Sequence, residues 1–209
     1  MFYKDVLEIL IIRTFIYKRR FFIWIDKFCD VMEQNIDWKS LIKNYNHFPK
    51  EGVLFRDINP LFRNPDALQQ ISKEFITPKE LSKIDLIAGI ESRGFTVASL
   101  LAGNFKKGII LVRKVGKLPG KTKKKQYDIE YGSSTIEIQD DAIKKGQNIL
   151  IADDLIATGG TSLATAQLIE EMGGKIFGFA IIIELVYLKG AEMLRNKGYD
   201  VRSLVKYYE

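Results

Sequence analysis

Ile149-Leu150-Ile151-Ala152-Asp153-Asp154-Leu155-Ile156-Ala157-Thr158-Gly159-Gly160-Thr161 decides the fold: an apolar strand runs into two carboxylates, a Thr-Gly-Gly turn and the start of a helix. In open α/β sheets ligands bind beyond the carboxyl ends of the strands. Gly159 and Gly160 leave backbone N–H groups free to converge on a phosphate at the helix N-terminus, and Thr158 and Thr161 add hydroxyl donors. Two carboxylates would repel a phosphate that touched them. Asp153 and Asp154 therefore belong on the neutral hydroxyls of a ribose nearby, at the solvent-facing mouth of the sheet, and the pattern asks for a 5-phosphorylated sugar. The plainer reading is an ordinary strand-loop-helix connection, but adjacent carboxylates plus consecutive small and hydroxyl residues exceed what a helix cap requires.

Outward from this stretch the chain alternates strand and helix. Ile84 to Ile90 reads as a buried strand and Phe95 to Asn104 has helical spacing. Ile109 to Arg113 and Asn148 to Ala152 are short aliphatic strands, Thr161 to Met172 is an amphipathic helix closed by Gly173 and Gly174, and Ile176 to Ile183 is another buried strand. Upstream, a polar, helix-permissive stretch runs to Tyr45, a loop follows with Pro49, Gly52, Asn59 and Pro60, and Asn64 caps a helix that has Pro65 in its first turn and runs to about Phe75. The expectation is an α/β fold, a mostly parallel twisted sheet flanked by helices.

A second turn, Ala88 to Phe95, joins strand to helix at the same edge of the sheet, and the guanidinium fork of Arg93 suits a phosphate. Residues 114 to 147 are of another kind. They are polar, carry Lys121, Lys123, Lys124 and Lys125, and contain two β-like pieces, Tyr127 to Tyr131 and Ser134 to Ile138, which read as a mobile hairpin over the sheet. Gly116 to Thr122 falls one residue short of a nucleotide-binding P-loop, which would need glycine at Val115 and a direct strand-to-helix passage. The lysine string either solubilises a loop or meets anions.

The chain has 209 residues, 46% apolar and 28% charged, with a net charge of +6 and a pI of about 9.2. That is enough for one sizeable core, and it favours anionic partners without naming them. A single cysteine, Cys29, and a single histidine, His47, exclude an internal disulfide, a thiolate zinc site and paired-histidine metal chemistry, and fit a reducing compartment. Residues 1–31 differ from the rest, with apolar blocks Ile9 to Ile12 and Phe21 to Ile25 around Arg13, Lys18, Arg19 and Arg20. No run reaches the roughly 18 apolar residues of a membrane span. Asp5 and Glu8 precede the first block, unlike a signal peptide. The segment is an extension ahead of a domain at 32–209, with Met32 as an alternative start, or else a basic amphipathic helix for a membrane or a partner.

The strand, the acidic pair and the turn resemble the signature of type I phosphoribosyltransferases. The resemblance implies that fold, with an N-terminal base-binding hood and a flexible β-hairpin loop. It implies that Asp153, Asp154, Ala157, Thr158, Gly159, Gly160 and Thr161 hold ribose 5-phosphate, and that Glu91, Ser92 and Arg93 form a pyrophosphate loop, strained and with a cis peptide between Glu91 and Ser92. Leu111 to Gly120 resembles a segment whose basic side chains, here Arg113, Lys114 and Lys117, meet pyrophosphate, some of them across a dimer. Phe48 to Pro60 looks like the hood of the branch that takes adenine, with Leu54, Phe55 and Arg56 at the base. Tyr127 to Gly132 looks like its catalytic loop, with Glu130 moving the purine proton and Tyr131 near the pyrophosphate. Glu184, Leu185 and Leu188 to Gly190 look like the end of its core.

This match covers about residues 46 to 195, departing at Ala152, where valine is common, and at the lysine run. It implies purine salvage: adenine and 5-phosphoribosyl 1-pyrophosphate giving AMP and pyrophosphate, with Mg²⁺ carried by the substrate rather than by direct protein ligands. A cytoplasmic homodimer follows from the same likeness, without nucleic-acid or membrane partners. Two alternatives stay open, a transferase for hypoxanthine, guanine, xanthine or orotate and a non-catalytic regulator that senses the sugar diphosphate. The regulator would need a DNA-reading module, and residues 1–45 offer no convincing one.

Overall fold

Two short strands, β1 (Lys43–Asn46) and β2 (Leu54–Asp57), pair antiparallel as a small separate sheet ahead of the main fold. Three helices follow, α1 (Asn59–Phe62), α2 (Pro65–Phe75) and α3 (Pro78–Leu81). The cap of α2 is as expected: Asn64 Oδ1 accepts from the N–H groups of Asp66 and Ala67 at 3.0 and 3.1 Å. Ala67, Ile71 and Phe75, one helical turn apart, form its buried face.

The main sheet is built from β3 (Leu86–Ile90), β4 (Gly108–Lys114), β5 (Thr122–Asp128), β6 (Ser133–Gln139), β7 (Asn148–Ile156), β8 (Lys175–Leu185) and β9 (Val201–Tyr207). Its order is β5-β6-β4-β3-β7-β8-β9. Strands β4, β3, β7, β8 and β9 are parallel, while β6 runs antiparallel to β4 and to β5. Helices α4 (Gly94–Phe105), α5 (Gly160–Glu171) and α6 (Gly190–Asn196) complete the crossovers. Ile149, Leu150, Ile151 and Ala152 are at most 1% exposed. A strand covered on both faces needs such an unbroken apolar run, and truncating one of its isoleucines to alanine would cost about 2–5 kcal/mol.

The computed structural model describes residues 36–128 and 132–209. The extension at 1–31, the start at Met32, and the site residues Glu130 and Tyr131 lie outside the described residues. Trp38–Glu209 form one unit.

Four sequence expectations need correction. The stretch before Tyr45 holds a 3₁₀ turn at Trp38–Leu41 and then β1, because pairing with β2 overrides its weak helical preference. The hairpin pairs with β4 at Arg113 and Lys114, so it extends the sheet at its edge instead of lying over it. Its first strand begins at Thr122, which puts Lys123, Lys124 and Lys125 in an edge strand rather than a loop; charges there discourage further strand pairing. Finally, β7 continues to Ile156, so the acidic pair lies within the strand and not beyond it.

Candidate active site

Strands β3 and β7 are neighbours, and both end at the same edge of the sheet, where each passes through a turn into a helix. Between them lies a cavity of about 180 Å³ lined by Ile90, Glu91, Asp153, Asp154 and the turn from Ala157 to Ser162. Gly159 has φ of +80°, and a Cβ on it would meet the backbone of Gly190 at 2.9 Å. Gly190 in turn packs on Ala157 O and donates its N–H to that oxygen at 3.1 Å. The two glycines let α6 close against the turn that starts α5, whose first-turn N–H groups and dipole favour an anion.

Asp153 and Asp154 are 9% and 7% exposed, so they are buried and not solvent-facing as expected. The physical reason is packing from the first turn of α4: a Cβ on Gly94 would sit 2.7 Å from Asp153 Oδ1. That oxygen also accepts from Asp154 N at 2.9 Å. Burial, reinforced by the neighbouring Asp154 charge, pushes the Asp153 carboxyl well above the usual range. Burial pushes Asp154 up as well, opposed by Arg93, whose Nη2 lies 2.8 Å from Asp154 Oδ2. Among the described residues no hydrogen bond is made to that buried Oδ2, which has the Arg93 charge beside it. An acidic pair held so short of donors suits a ligand that brings hydroxyls or a cation.

The peptide between Glu91 and Ser92 is cis, as the resemblance implied. Glu91 does not face a ligand alone. It accepts from Arg113 Nη2 at 3.0 Å and from Lys114 N at 2.9 Å, and the Arg113 hydrogen bond holds its carboxyl below the usual range. Arg113, expected on the pyrophosphate, also donates Nη1 to Lys117 O at 2.9 Å. Its guanidinium thus braces the basic loop, while the side chains of Lys114 and Lys117 are exposed. Sequence reading missed Glu137 on β6, which is 2% exposed and accepts from the N–H groups of Lys117 and Leu118 and from the Thr122 hydroxyl. Burial alone would raise its carboxyl, yet those hydrogen bonds win and lower it. No local motif announces this residue, because its partners lie in a distant loop.

The hood corrects one assignment. Phe55 and Arg56 are consecutive in β2 and so point to opposite faces. The Phe55 ring meets the Arg93 guanidinium at 5.1 Å and the edge of Phe48 at 5.1 Å, which places it over the site. Arg56 therefore turns away. It is 5% exposed, stacks at 3.4 Å on the Tyr207 ring, and donates to Asn44 Oδ1 and Glu209 O, so it anchors the hood rather than donating to a base. Leu54 is exposed.

The chain matches the phosphoribosyl transferase domain over residues 62–206. The chain belongs to this family. Within it, the relatives are adenine phosphoribosyltransferases. That of Nitrosopumilus maritimus is 54% identical over 169 residues, covering 81% of this chain and 98% of its own. The adenine phosphoribosyltransferase of Saccharomyces cerevisiae, solved with D-2,5-dideoxy-2,5-imino-altritol 1,6-bisphosphate and adenine, superposes with a TM-score of 0.74 at 40% identity, over 81% of this chain and 97% of that one. The Giardia lamblia enzyme in complex with 9-deazaadenine gives a TM-score of 0.76 at 34% identity, over 83% and 97%. Like other phosphoribosyltransferases, the chain has a mostly parallel sheet flanked by helices.

Proposed function

We propose that this chain transfers the phosphoribosyl group of 5-phosphoribosyl 1-pyrophosphate to adenine, forming AMP and releasing pyrophosphate. The observation that carries the reading is the buried, donor-poor pair Asp153 and Asp154 beside the Ala157–Thr161 cradle. The cradle takes the 5-phosphate, and the pair takes the ribose hydroxyls. Arg93, Lys114 and Lys117 offset the charge of the departing pyrophosphate, with Glu91, Arg113 and Glu137 holding their loops in place. As the bond from C1 to pyrophosphate lengthens, C1 gains oxocarbenium character and a purine ring nitrogen attacks it, so the protein contributes chiefly positioning and electrostatics. Glu130 is the residue to which we assign movement of the purine proton, with Tyr131 beside the pyrophosphate.

Mg²⁺ would arrive carried on the sugar diphosphate, with Asp153 and Asp154 as its nearest acidic neighbours in the cavity. When bound, the ion supplies charge neutralisation to the leaving group.

The hood selects the base. Phe55 gives a stacking face, and the backbone C=O and N–H of Leu54 match the 6-amino group and N1 of adenine. A 6-oxopurine reverses both partners, and each polar group left unpaired in a closed site costs about 1–3 kcal/mol. Together these approach the discrimination of about 10⁴ available to hydrogen-bonding sites. Incubation of the full chain with the sugar diphosphate, Mg²⁺ and labelled adenine, hypoxanthine, guanine or orotate tests this: product is expected from adenine, and equal efficiency with hypoxanthine sinks the base assignment.

A homodimer is part of the proposal. The outward side chains Ile109 and Leu111 on β4 are each 40% exposed, with Val115 at 46%, and this apolar stripe leads into the basic segment Lys114 to Lys117. A second copy would cover it, and Ile109→Glu should yield monomers in sedimentation. No helix of the described residues is long and apolar enough to cross a membrane. The lone Cys29 supports a reducing, cytoplasmic setting. A domain at 32–209 carries the chemistry, so a chain begun at Met32 should remain active.

A further inference from the structure

Among the described residues, the Tyr127 side chain joins the hairpin to the phosphate cradle. Tyr127 lies next to the end of β5, and its half-buried ring packs against the main hydrophobic core. The Thr161 hydroxyl donates to Tyr127 Oη at 2.9 Å. Beside it, a Cβ on Gly160 would meet Asp128 O at 3.4 Å and the Tyr127 ring at 3.5 Å, so the strand lies directly on the first residues of α5. Lys125 and Glu171 form an ion pair at 2.5 Å toward the other end of that helix, which fixes β5 along it. The register Tyr127 to Ser134 and Asp128 to Ser133 then carries the chain into the hairpin tip.

A hydroxyl has one proton to donate and can accept two. Thr161 cannot give its proton both to Tyr127 and to a phosphate in the cradle. When a phosphate takes it, the only arrangement that keeps the pair bonded reverses the direction, with the Tyr127 O–H donating to Thr161 Oγ1. Donation into a hydroxyl that itself donates to an anion strengthens both bonds.

We propose that Tyr127 is a positioning residue for the sugar 5-phosphate, acting through Thr161 and tying the base of the hairpin to an occupied cradle. The proposal rests on the phosphoribosyl reading of the site. Tyr127→Phe keeps the ring and its packing but removes the hydroxyl, so the fold should be unchanged in melting. One hydrogen bond in such a chain corresponds to about three- to tenfold in affinity. The expected result is that rise in the KM for 5-phosphoribosyl 1-pyrophosphate and in the Kd for ribose 5-phosphate, with the Kd for pyrophosphate within about twofold of the unchanged chain. In a Thr161→Val background the tyrosine change should have no further effect, and Thr161→Ser should restore it. A Tyr127→Phe chain with unaltered ribose 5-phosphate affinity overturns the proposal, as does an equal loss in the Thr161→Val background. An unchanged chain that binds no ribose 5-phosphate overturns the underlying reading as well, and direct titration of that ligand separates the two failures.

Discussion

Asp153 and Asp154 on β7 and Glu184 on the adjoining β8 are all nearly inaccessible, and the two strands are in register there, with Asp153 opposite Ile181 and Ile156 opposite Glu184. Their surroundings are opposite in kind. Glu184 receives both terminal nitrogens of Arg195 at 2.8 Å and the Ser203 hydroxyl at 2.5 Å, and the Arg195 fork holds its carboxyl below the usual range despite burial. The acidic pair has one arginine to share, repels itself, and is pushed upward. A carboxylate that serves the fold is saturated with donors inside the protein. One that serves a ligand is left short of them, at a cost in stability that binding offsets.

The strongest way to break this contrast is to neutralise the pair. Replacing Asp153 and Asp154 together with asparagine should lower kcat/KM by at least about 10³-fold, on the scale of lost transition-state contacts, while the melting temperature stays level or rises. Near-normal turnover in a well-folded double variant would remove the ribose assignment.

Arg93→Gln is expected to come next, at about 10²-fold in kcat/KM, since it removes both a pyrophosphate partner and the cation that opposes the rise of Asp154. The acid limb of the pH–rate profile should move to higher pH, because Asp154 loses its stabilising charge. A profile that drops in height without moving would show that the ion pair has no part in setting the ionisation of Asp154.

The contrast is sharpened on the other strand by Glu184→Gln. Losing the charged fork to Arg195 should destabilise by about 1–3 kcal/mol, read as a lower denaturation midpoint, with KM values unchanged for the remaining folded molecules. A selective loss of substrate affinity would instead put Glu184 in the site.

The smallest effect is in pH dependence. The folded Asp153 carboxyl titrates above its unfolded value of about 4, so the folded state binds more protons and its stability falls as pH rises from there through the folded value. Asp153→Asn should lack that decline and gain relative stability toward neutral pH. Parallel urea midpoints for both chains across this range would refute the upward displacement.

Much of the site was legible before any coordinates. The cradle from Ala157 to Thr161 and the cap at Asn64 are made by neighbours in the chain, so spacing and residue type suffice. Strands β3, β4, β7 and β8 of the parallel core showed as aliphatic runs for the same reason. Strand β9 was missed because its exposed and buried residues mix without a long apolar block, and α6 because it is short. The lysine run gave no sign of being a strand, since lysine is depleted in strands and only pairing with β6 makes it one.

By itself, then, the amino-acid order determined the strand-turn-helix chemistry and the family to which it belongs, because backbone N–H convergence and apolar periodicity are local properties. Tertiary structure decided which charges are spent and which are available. Arg56 is committed to Tyr207 and Glu209, more than a hundred residues away, and Arg113 to Glu91, while Glu137 organises a loop that precedes it and Gly190 closes a turn from another crossover. Each of these depends on atoms brought together only when the sheet orders its strands, and a donor's availability is set by those neighbours and not by its place in the chain.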